Sequence, residues 1–295
     1  MDGLIAPFRY AFMQHALLAA VLVGITCAVL GVHLVQRRMA FIGDALAHTT
    51  LPGLVIAHLF GWSLSLGGLG AALTTAVFIG WASRRQVIKE DTAIGVVFTG
   101  MFALGVLLMS RTRSYRDLTH MLFGNVLGVT SADLWFIAGV ALVVVLVVGL
   151  FHKELELTAF DPSHAEVMGL HADWMRFLLL GLLALAVVTG IQTVGVILTN
   201  ALLITPAATA ALLTHEIRSR MLVSVMLATA CSLAGLILSY FTETSSGAAI
   251  VLCCTAAFVL SFAGRSVWQR YRLMTGKSSL KDELSPISTI PTTPP

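Results

Sequence analysis

The sequence predicts an all-α polytopic membrane protein with about eight or nine transmembrane helices. Its 295 residues are 57% hydrophobic and only 11% charged, which is less than half of the charged fraction that soluble domains carry. The mean hydropathy is +0.90. Apolar runs of the length that spans a bilayer, roughly 17 to 25 residues, follow one another along the chain. A chain of this composition has too little polar surface to dissolve in water.

Nine apolar runs are candidate membrane spans, and together they define a transmembrane domain over residues 1–265. Only Gln192 and Thr193 separate the sixth run from the seventh. Gly190 and Gly195 flank this short linker, so the two runs can form two ordinary spans, or a broken or re-entrant pair. In chain order, the runs cover residues 11–35, 41–60, 64–83, 93–109, 133–151, 174–191, 194–213, 221–241 and 247–264.

The basic residues predict which connections lie in the cytoplasm, because interior loops of membrane proteins are enriched in Lys and Arg. With nine spans, the connections on one side and the C-terminal tail together hold 14 of the 18 basic residues. We expect that side to be cytoplasmic. The cluster Arg111, Arg113 and Arg116 conflicts with this topology, unless one span is miscounted or the 110–132 segment tolerates the charge.

Composition also excludes some functions and marks the end of the chain. The net charge of +3 is small and is spread over the loops, which argues against nucleic-acid binding. The four cysteines lie inside apolar runs without CxxC spacing, so we expect small buried residues rather than metal ligands or disulfides. Residues 266–295 are polar and end in prolines, which predicts a disordered cytoplasmic tail.

One acidic residue within the second apolar run is the first candidate for chemistry. Asp44 is the sole carboxylate between Gly3 and Lys89. Burial of such a group in a membrane costs at least about 2.5 to 3.5 kcal/mol on insertion scales, so it usually lines a cavity, pairs with another group or binds substrate. His48 lies one helical turn later, on the same face. A carboxylate oxygen and an imidazole nitrogen suit zinc, manganese or iron.

Spacing alone leaves two structural alternatives for this pair. Asp44 and His48 can neutralise each other through a hydrogen bond one turn apart, or Asp44 can cap a helix after Gly43. Two ligands also do not complete a metal site of this class. A second copy of the chain, related by a two-fold axis, would supply another aspartate and histidine and so provide four ligands.

Two later features predict bends or close packing beside a pathway. Pro52 and Gly53 follow His48 closely, which frees backbone carbonyls and allows a hinge. The stretch from 199 to 210 contains Asn200, Thr205 and Pro206 among small residues, as expected of a helix that packs tightly or lines a pathway. Packing alone is an equally good interpretation of this second stretch.

The segment from 152 to 173 is the longest predicted cytoplasmic connection. Asp161 can cap a short helix that has Pro162 at its first position, Glu166 within it and Gly169 near its end. A capped, exposed helix at about 160–171 predicts a docking element for a partner protein. The alternative is an ordinary interfacial connection.

These pieces together resemble the permease subunits of bacterial manganese and zinc ABC importers, the ABC-3 type served by cluster-type extracytoplasmic metal-binding proteins. The resemblance runs from residue 12 to about residue 263. It is carried by RMAFIGDALAH at 38–48, LPG at 51–53, LFGN at 122–125, FDP at 160–162 and ALLITPAA at 201–208.

The resemblance implies a fold similar to that of vitamin B12-type, or type II, importer permeases in the bacterial inner membrane. It implies two permease copies, two cytoplasmic ATPases that bind the ATP, and an external metal-binding protein. This chain would then be a non-catalytic subunit without a permanently bound cofactor. Asp44 and His48 match the family's pathway ligands, and the helix that begins at Asp161 and Pro162 matches its coupling helix.

The resemblance favours manganese slightly over zinc, and then iron, as the transported ion. The Leu51-Pro52-Gly53 form is more similar to manganese-type members than to zinc-type ones. Two other classes remain as alternatives. An ATP-independent carrier would need its own coupling-ion residues or inverted repeats, and the sequence shows neither. A siderophore- or B12-like permease would need no ionisable pair in its pathway.

Overall fold

The computed structural model describes residues 10–83, 88–111 and 126–284, with side chains in the last helix described to residue 267. Within these ranges the chain forms twelve α-helices, a short 3-10 turn at Val126–Gly128 and no strands. The helices are α1 Ala11–Gln36, α2 Ile42–Thr49, α3 Leu51–Phe60, α4 Leu64–Ala82, α5 Glu90–Ser110, α6 Ser131–Leu150, α7 His152–Phe160, α8 Pro162–Val167, α9 Ala172–Val194, α10 Val196–Leu213, α11 Ile217–Thr242 and α12 Ser246–Leu284.

Eight of the described helices are long and apolar enough to cross a membrane, which confirms the predicted fold class. They correspond to eight of the nine predicted runs. The remaining run, 41–60, is divided into α2 and α3 at Thr50 instead of forming one continuous helix. Pro52 explains the division, because proline has no N–H to donate and restricts the backbone of the residue before it.

The sixth and seventh runs form two helices broken at Gly195, each long and apolar enough to cross a membrane, which favours two spans over a re-entrant pair. Gly195 separates α9 from α10 with φ 93°, a backbone conformation that side-chain-bearing residues rarely adopt. Its N–H closes α9 on the carbonyls of Gly190 and Ile191. The two helices then approach closely, because a Cβ at Gly190 would lie 2.7 Å from the Thr199 side chain.

Helix α1 lies at the centre of the bundle and packs against α6, α9, α10 and α11. In both α1 and α9, 72% of the residues in the most apolar 18-residue stretch are buried in the bundle, against 22% in α5 and 17% in α12. Glycine allows the closest contact of α1, since a Cβ at Gly31 would collide with the carbonyl of Leu203 on α10. Small residues at helix contacts are the usual means of close packing inside membranes.

The connections that the basic residues predict to be interior meet at one end of this bundle, which we call the basic end. Four arginine contacts join them, and each contact links two different connections or helix ends. The contacts run from Arg37 Nη2 to Thr158 Oγ1 (2.9 Å), from Arg176 Nη1 to Ser83 O (3.3 Å), from Arg218 Nη2 to His152 Nε2 (2.8 Å) and from Arg265 Nη1 to Leu212 O (2.7 Å). The membrane face on which the basic end lies stays a prediction.

Helix α12 extends past the predicted domain boundary at residue 265. The described apolar stretch that is long enough to span a membrane covers Ser246–Val267, and the backbone stays helical to Leu284, where the sequence predicts a disordered tail. The chain contains no proline between Ser246 and Pro286, and a helix commonly ends just before a proline. Residues 285–295, the 122–125 stretch, and Arg113 and Arg116 of the basic cluster lie outside the described residues.

Candidate functional site

Helix α2 presents Asp44 and His48 on its exposed side. The five other residues from 42 to 47 are buried in the bundle, which fixes the orientation of this two-turn helix. The Asp44 side chain remains 53% exposed and that of His48 34% exposed, with His48 Nε2 3.6 Å from Asp44 Oδ1. No side chain caps the start of α2, so the alternative that Asp44 serves as a helix cap is wrong.

Asn200 on α10 holds the Asp44 carboxylate from the second side. Its Nδ2 donates a hydrogen bond of 3.0 Å to Asp44 Oδ1. Gly43 permits this approach, because a Cβ there would lie 3.0 Å from Asn200 Oδ1 and 2.5 Å from Leu203 Cδ2. In the described part of the chain, Asn200 Oδ1 is buried without a hydrogen-bond partner. The structure therefore joins Asn200, predicted as a pathway residue, directly to Asp44.

Two phenylalanines of α5 pack against the imidazole of His48. The ring centroids lie 6.1 Å away for Phe98 and 5.7 Å away for Phe102, and the Phe102 ring meets the imidazole edge-on at 79°. These contacts restrict the orientation of His48. Sequence reasoning missed both phenylalanines, because an apolar run does not show which of its aromatic residues face a given histidine on another helix.

Within one chain, Asp44 and His48 form a pair of candidate ligands, which we call the half-site. No group of three His, Cys, Asp or Glu side chains in the described ranges could hold a metal ion. Asp44 and His48 thus supply one carboxylate and one imidazole to an open surface. A zinc-type site takes about four ligands, so this pair would need further ligands to complete such a site.

Pro52 and Gly53 lie beyond the break at Thr50, where α3 packs closely on its neighbours. A Cβ at Gly53 would collide with the carbonyl of Gly67 on α4. On the other side, a Cβ at Gly105 of α5 would lie 3.0 Å from Pro52 Cδ. The helix is therefore divided at Thr50, between the half-site on α2 and the tightly packed part of α3. The hinge function of Pro52 and Gly53 stays a prediction.

Thr205 and Pro206 lie further along α10 and are not joined to the half-site by any hydrogen bond between described residues. Pro206 is buried inside the helix, where it cannot donate to the carbonyl four residues before it. The Thr205 carbonyl accepts a hydrogen bond of 2.7 Å from Thr209 Oγ1. These contacts favour packing within the bundle as the role of this pair.

The segment that was predicted to dock a partner forms two short helices, α7 and α8, at the basic end. Asp161 Oδ1 accepts a hydrogen bond of 2.9 Å from the His164 N–H and caps α8, with Pro162 in the first turn. Gly169, at φ 84°, follows the end of α8, and Glu166 is exposed on it. Three large apolar side chains are also exposed here: Phe160 at 75%, Val167 at 86% and Met168 at 64%.

Comparison with protein families and curated proteins identifies similar chains. The ABC 3 transport family matches residues 9–265. The manganese transport system membrane protein MntC of Halalkalibacterium halodurans is 43% identical over 254 residues, which cover 86% of this chain and 87% of that one. A probable iron transport system membrane protein of Haemophilus influenzae is 41% identical, covering 89% of this chain and 97% of that one.

Two solved structures have a similar fold. A chain of PsaBC from Streptococcus pneumoniae, solved in complex with Fab, superimposes with a TM-score of 0.76 at 35% identity, covering 88% of this chain and 94% of that one. A metal-chelate type ABC transporter in an inward-facing conformation gives a TM-score of 0.69 at 18% identity, covering 85% of each chain. The second similarity concerns the fold alone.

Proposed function

The chain belongs to the ABC 3 transport family, and from this premise we propose that it forms the ion pathway of an ATP-driven importer of divalent transition metals. It is a multi-pass permease subunit of the metal ABC importer type and is not itself catalytic. We place it in a bacterial cytoplasmic membrane with its C-terminus inside. The transported ion is the substrate, and ATP is bound by the partner subunits.

The single observation that carries the proposal is the exposed half-site formed by Asp44 and His48. An ionisable group on a membrane-embedded surface is costly unless it faces a cavity, a partner or a substrate. A second copy across a two-fold axis would cover the half-site and supply its aspartate and histidine. The ion would then be held by two carboxylates and two imidazoles, while Asn200 fixes Oδ1 of each aspartate from behind.

Manganese is the favoured ion, ahead of zinc and then iron. The donor set contains oxygen and nitrogen and no thiolate, which suits all three metals. Intrinsic affinity for zinc exceeds that for manganese at most sites, so manganese selection would depend on site geometry and on delivery. Relatives are named for manganese or for iron: the name of the Listeria monocytogenes protein contains manganese, and that of the Yersinia pestis protein contains chelated iron.

The helix α8, bounded by Asp161 and Pro162 at its start and followed by Gly169, is proposed to seat in the ATPase. Its exposed apolar residues Val167 and Met168 would fill an apolar pocket of that partner, with Glu166 beside them. The preceding helix, α7, is joined to the end of α1 by the hydrogen bond from Arg37 to Thr158. Helix α1 packs on α10, which carries Asn200.

The contacts that connect α8, α7, α1 and α10 suggest how closure of the ATPases would change the ion site. An external metal-binding protein delivers the ion to the paired half-sites, and movement of α8 and α7 displaces α1 relative to α10. The Asn200 amide then moves with α10 while α2, separated from α3 at Thr50, adjusts independently. Alternating access is a shift between two such arrangements, driven by the difference in their free energies.

Transport by purified protein tests the proposal. The chain is reconstituted with its ATPase in proteoliposomes, and uptake of manganese and zinc is measured with and without ATP. Asp44→Ala and His48→Ala should abolish uptake, whereas His58→Ala, an exposed histidine on α3, should leave it unchanged. Full uptake by both Asp44→Ala and His48→Ala would refute the site, and uptake independent of ATP would refute the ABC mechanism.

A further inference from the structure

A cleft of about 540 Å³ opens at the basic end, apart from the Asp44 and His48 half-site. It lies between the end of α1, the start of α5, and helices α7, α8 and α9. Four cationic side chains line it against two acidic ones, so its formal charge is positive. The charged lining residues are Arg37, Arg38, Lys89, Glu90, Asp91 and Arg176.

Two of the four cations build the wall of the cleft. Arg37 Nη2 donates to Thr158 Oγ1 at 2.9 Å and to Leu155 O at 3.3 Å, while its Nε finds no acceptor among the described residues. Burial lowers the pKa of Arg37, and Glu90 acts in the opposite direction. Arg176 Nε lies 3.0 Å from Glu90 Oε1, and its Nη1 lies 3.8 Å from Asp173 Oδ1, so Arg176 is already paired with carboxylates.

The other two cations are available to a ligand. Neither Arg38 nor Lys89 forms an ion pair or a side-chain hydrogen bond within the described ranges, and Arg38 is exposed. Two basic groups that line one cleft, and that have no such partner among the described residues, can receive an anion. Phosphate suits them best among common anions, because guanidinium groups bind phosphate oxygens through paired hydrogen bonds.

The backbone at Arg38 is an independent sign that its side chain has a function. The Met39 N–H bonds to Leu34 O at 3.0 Å and the Arg38 N–H to Val35 O at 3.2 Å, which closes α1 with a Schellman motif. Arg38 occupies the left-handed position of this motif, with φ 61°, where glycine is normally preferred. An arginine there carries a conformational cost that glycine would avoid, and strain of this kind concentrates at functional sites.

Exposed tryptophans indicate that the cleft lies at the depth of lipid headgroups. Trp81 is 67% exposed and Trp174 is 61% exposed. Each lies two residues before one partner of the hydrogen bond from Arg176 to Ser83, and both partners line the cleft. Exposed tryptophans mark the interface between the bilayer and water. This placement favours a lipid phosphate over an acidic side chain of the ATPase, which would approach from the aqueous side.

We propose that this cleft binds the phosphate of an anionic glycerophospholipid in the leaflet at the basic end. Arg38 and Lys89 would contact the phosphate oxygens, and Arg37 would add the charge of its buried guanidinium. Basic pockets between transmembrane helices commonly bind anionic headgroups in this way. The bound lipid would stabilise the junction between α1 and α7.

Native mass spectrometry and thermal unfolding of the delipidated full chain test the proposal, with phosphatidylglycerol, phosphatidylcholine or inorganic phosphate added. We expect phosphatidylglycerol to bind and to raise the unfolding temperature more than the other two do. Arg38→Gly and Lys89→Gln should each lower its apparent affinity about fivefold, as expected for one cation near an anionic headgroup. Arg38→Gly relaxes the backbone, so loss of lipid binding in this variant would not reflect misfolding.

Lys153→Gln is the matched control, because Lys153 is exposed on α7 and does not line the cleft. It removes the same charge and should keep the affinity of the unaltered chain. Equal losses in all three variants would reduce the effect to net charge and overturn the proposal. An equal response to inorganic phosphate would also overturn it. So would a double variant of Arg38 and Lys89 that binds the lipid unchanged but loses its ATPase, because the two cations would then contact the ATPase instead of the lipid.

Discussion

Replacing Asn200 by alanine tests whether the hydrogen bond to Asp44 sets the affinity of the transported ion. Asn200 Nδ2 donates this hydrogen bond over 3.0 Å to the carboxylate of Asp44, whose side chain is 53% exposed. Hydrogen bonds to charged groups contribute about 1.5 to 3 kcal/mol, and partial exposure places this one near the lower limit. A loss of about 1.4 kcal/mol corresponds to tenfold in an equilibrium constant.

In a site made by two copies, both aspartates lose their amide partner at once. We therefore expect the apparent affinity for manganese to fall about 10- to 100-fold, the range seen when partners of metal ligands are removed. Uptake in proteoliposomes over a manganese series gives KM and the maximal rate separately. KM should rise while the maximal rate changes little, because the two ligands themselves remain.

Two further variants separate orientation of Asp44 from general disturbance of the bundle. Gly43→Ala should resemble Asn200→Ala, since its Cβ would lie 3.0 Å from Asn200 Oδ1 and 2.5 Å from Leu203 Cδ2. Gly100→Ala adds the same methyl group where no atom lies within 4 Å and should transport normally. An unchanged manganese KM in Asn200→Ala would refute the reasoning, whatever the behaviour of Gly43→Ala.

Two other predictions concern packing and coupling. Gly53→Ala should destabilise the chain by about 1 to 3 kcal/mol, because its Cβ would collide with the Gly67 carbonyl. Thermal unfolding checks this against Gly70→Ala, which meets open space, and equal stability of the two variants would contradict it. Val167→Glu changes a side chain that is 86% exposed, so folding should persist while the ATPase no longer co-purifies. Normal co-purification would argue against α8 as its docking surface.

The apolar runs located the spans, because a bilayer requires long stretches of uniform hydrophobicity whatever their neighbours. Hydrophobicity alone did not reveal the break at Thr50, although Pro52 and Gly53 within the same run predicted a hinge close to it. Nor did it exclude a re-entrant pair at 174–213. The structure shows that the chain breaks at Gly195, with φ 93°, between two helices that are each long enough to cross a membrane.

The candidate site divides in the same way. Asp44 and His48 could be paired from sequence, because a spacing of four residues on a helix places two side chains on one face. The sequence also marked Asn200 as a pathway residue. Its contact with Asp44 could not be predicted, because the two residues are 156 positions apart and approach each other only because residue 43 is a glycine. Phe98 and Phe102 could not be found, because helix packing alone brings them to His48.

The sequence by itself determined the membrane class, the number of spans to within one, and the grouping of the basic connections at one end. Each of these follows from local composition and from the free energy of transfer into a bilayer. The tertiary structure decided which polar groups meet: Asn200 with Asp44, and Arg38 with Lys89 in a second cleft. Such contacts join distant helices, and their existence depends on close approaches that only the assembled bundle allows.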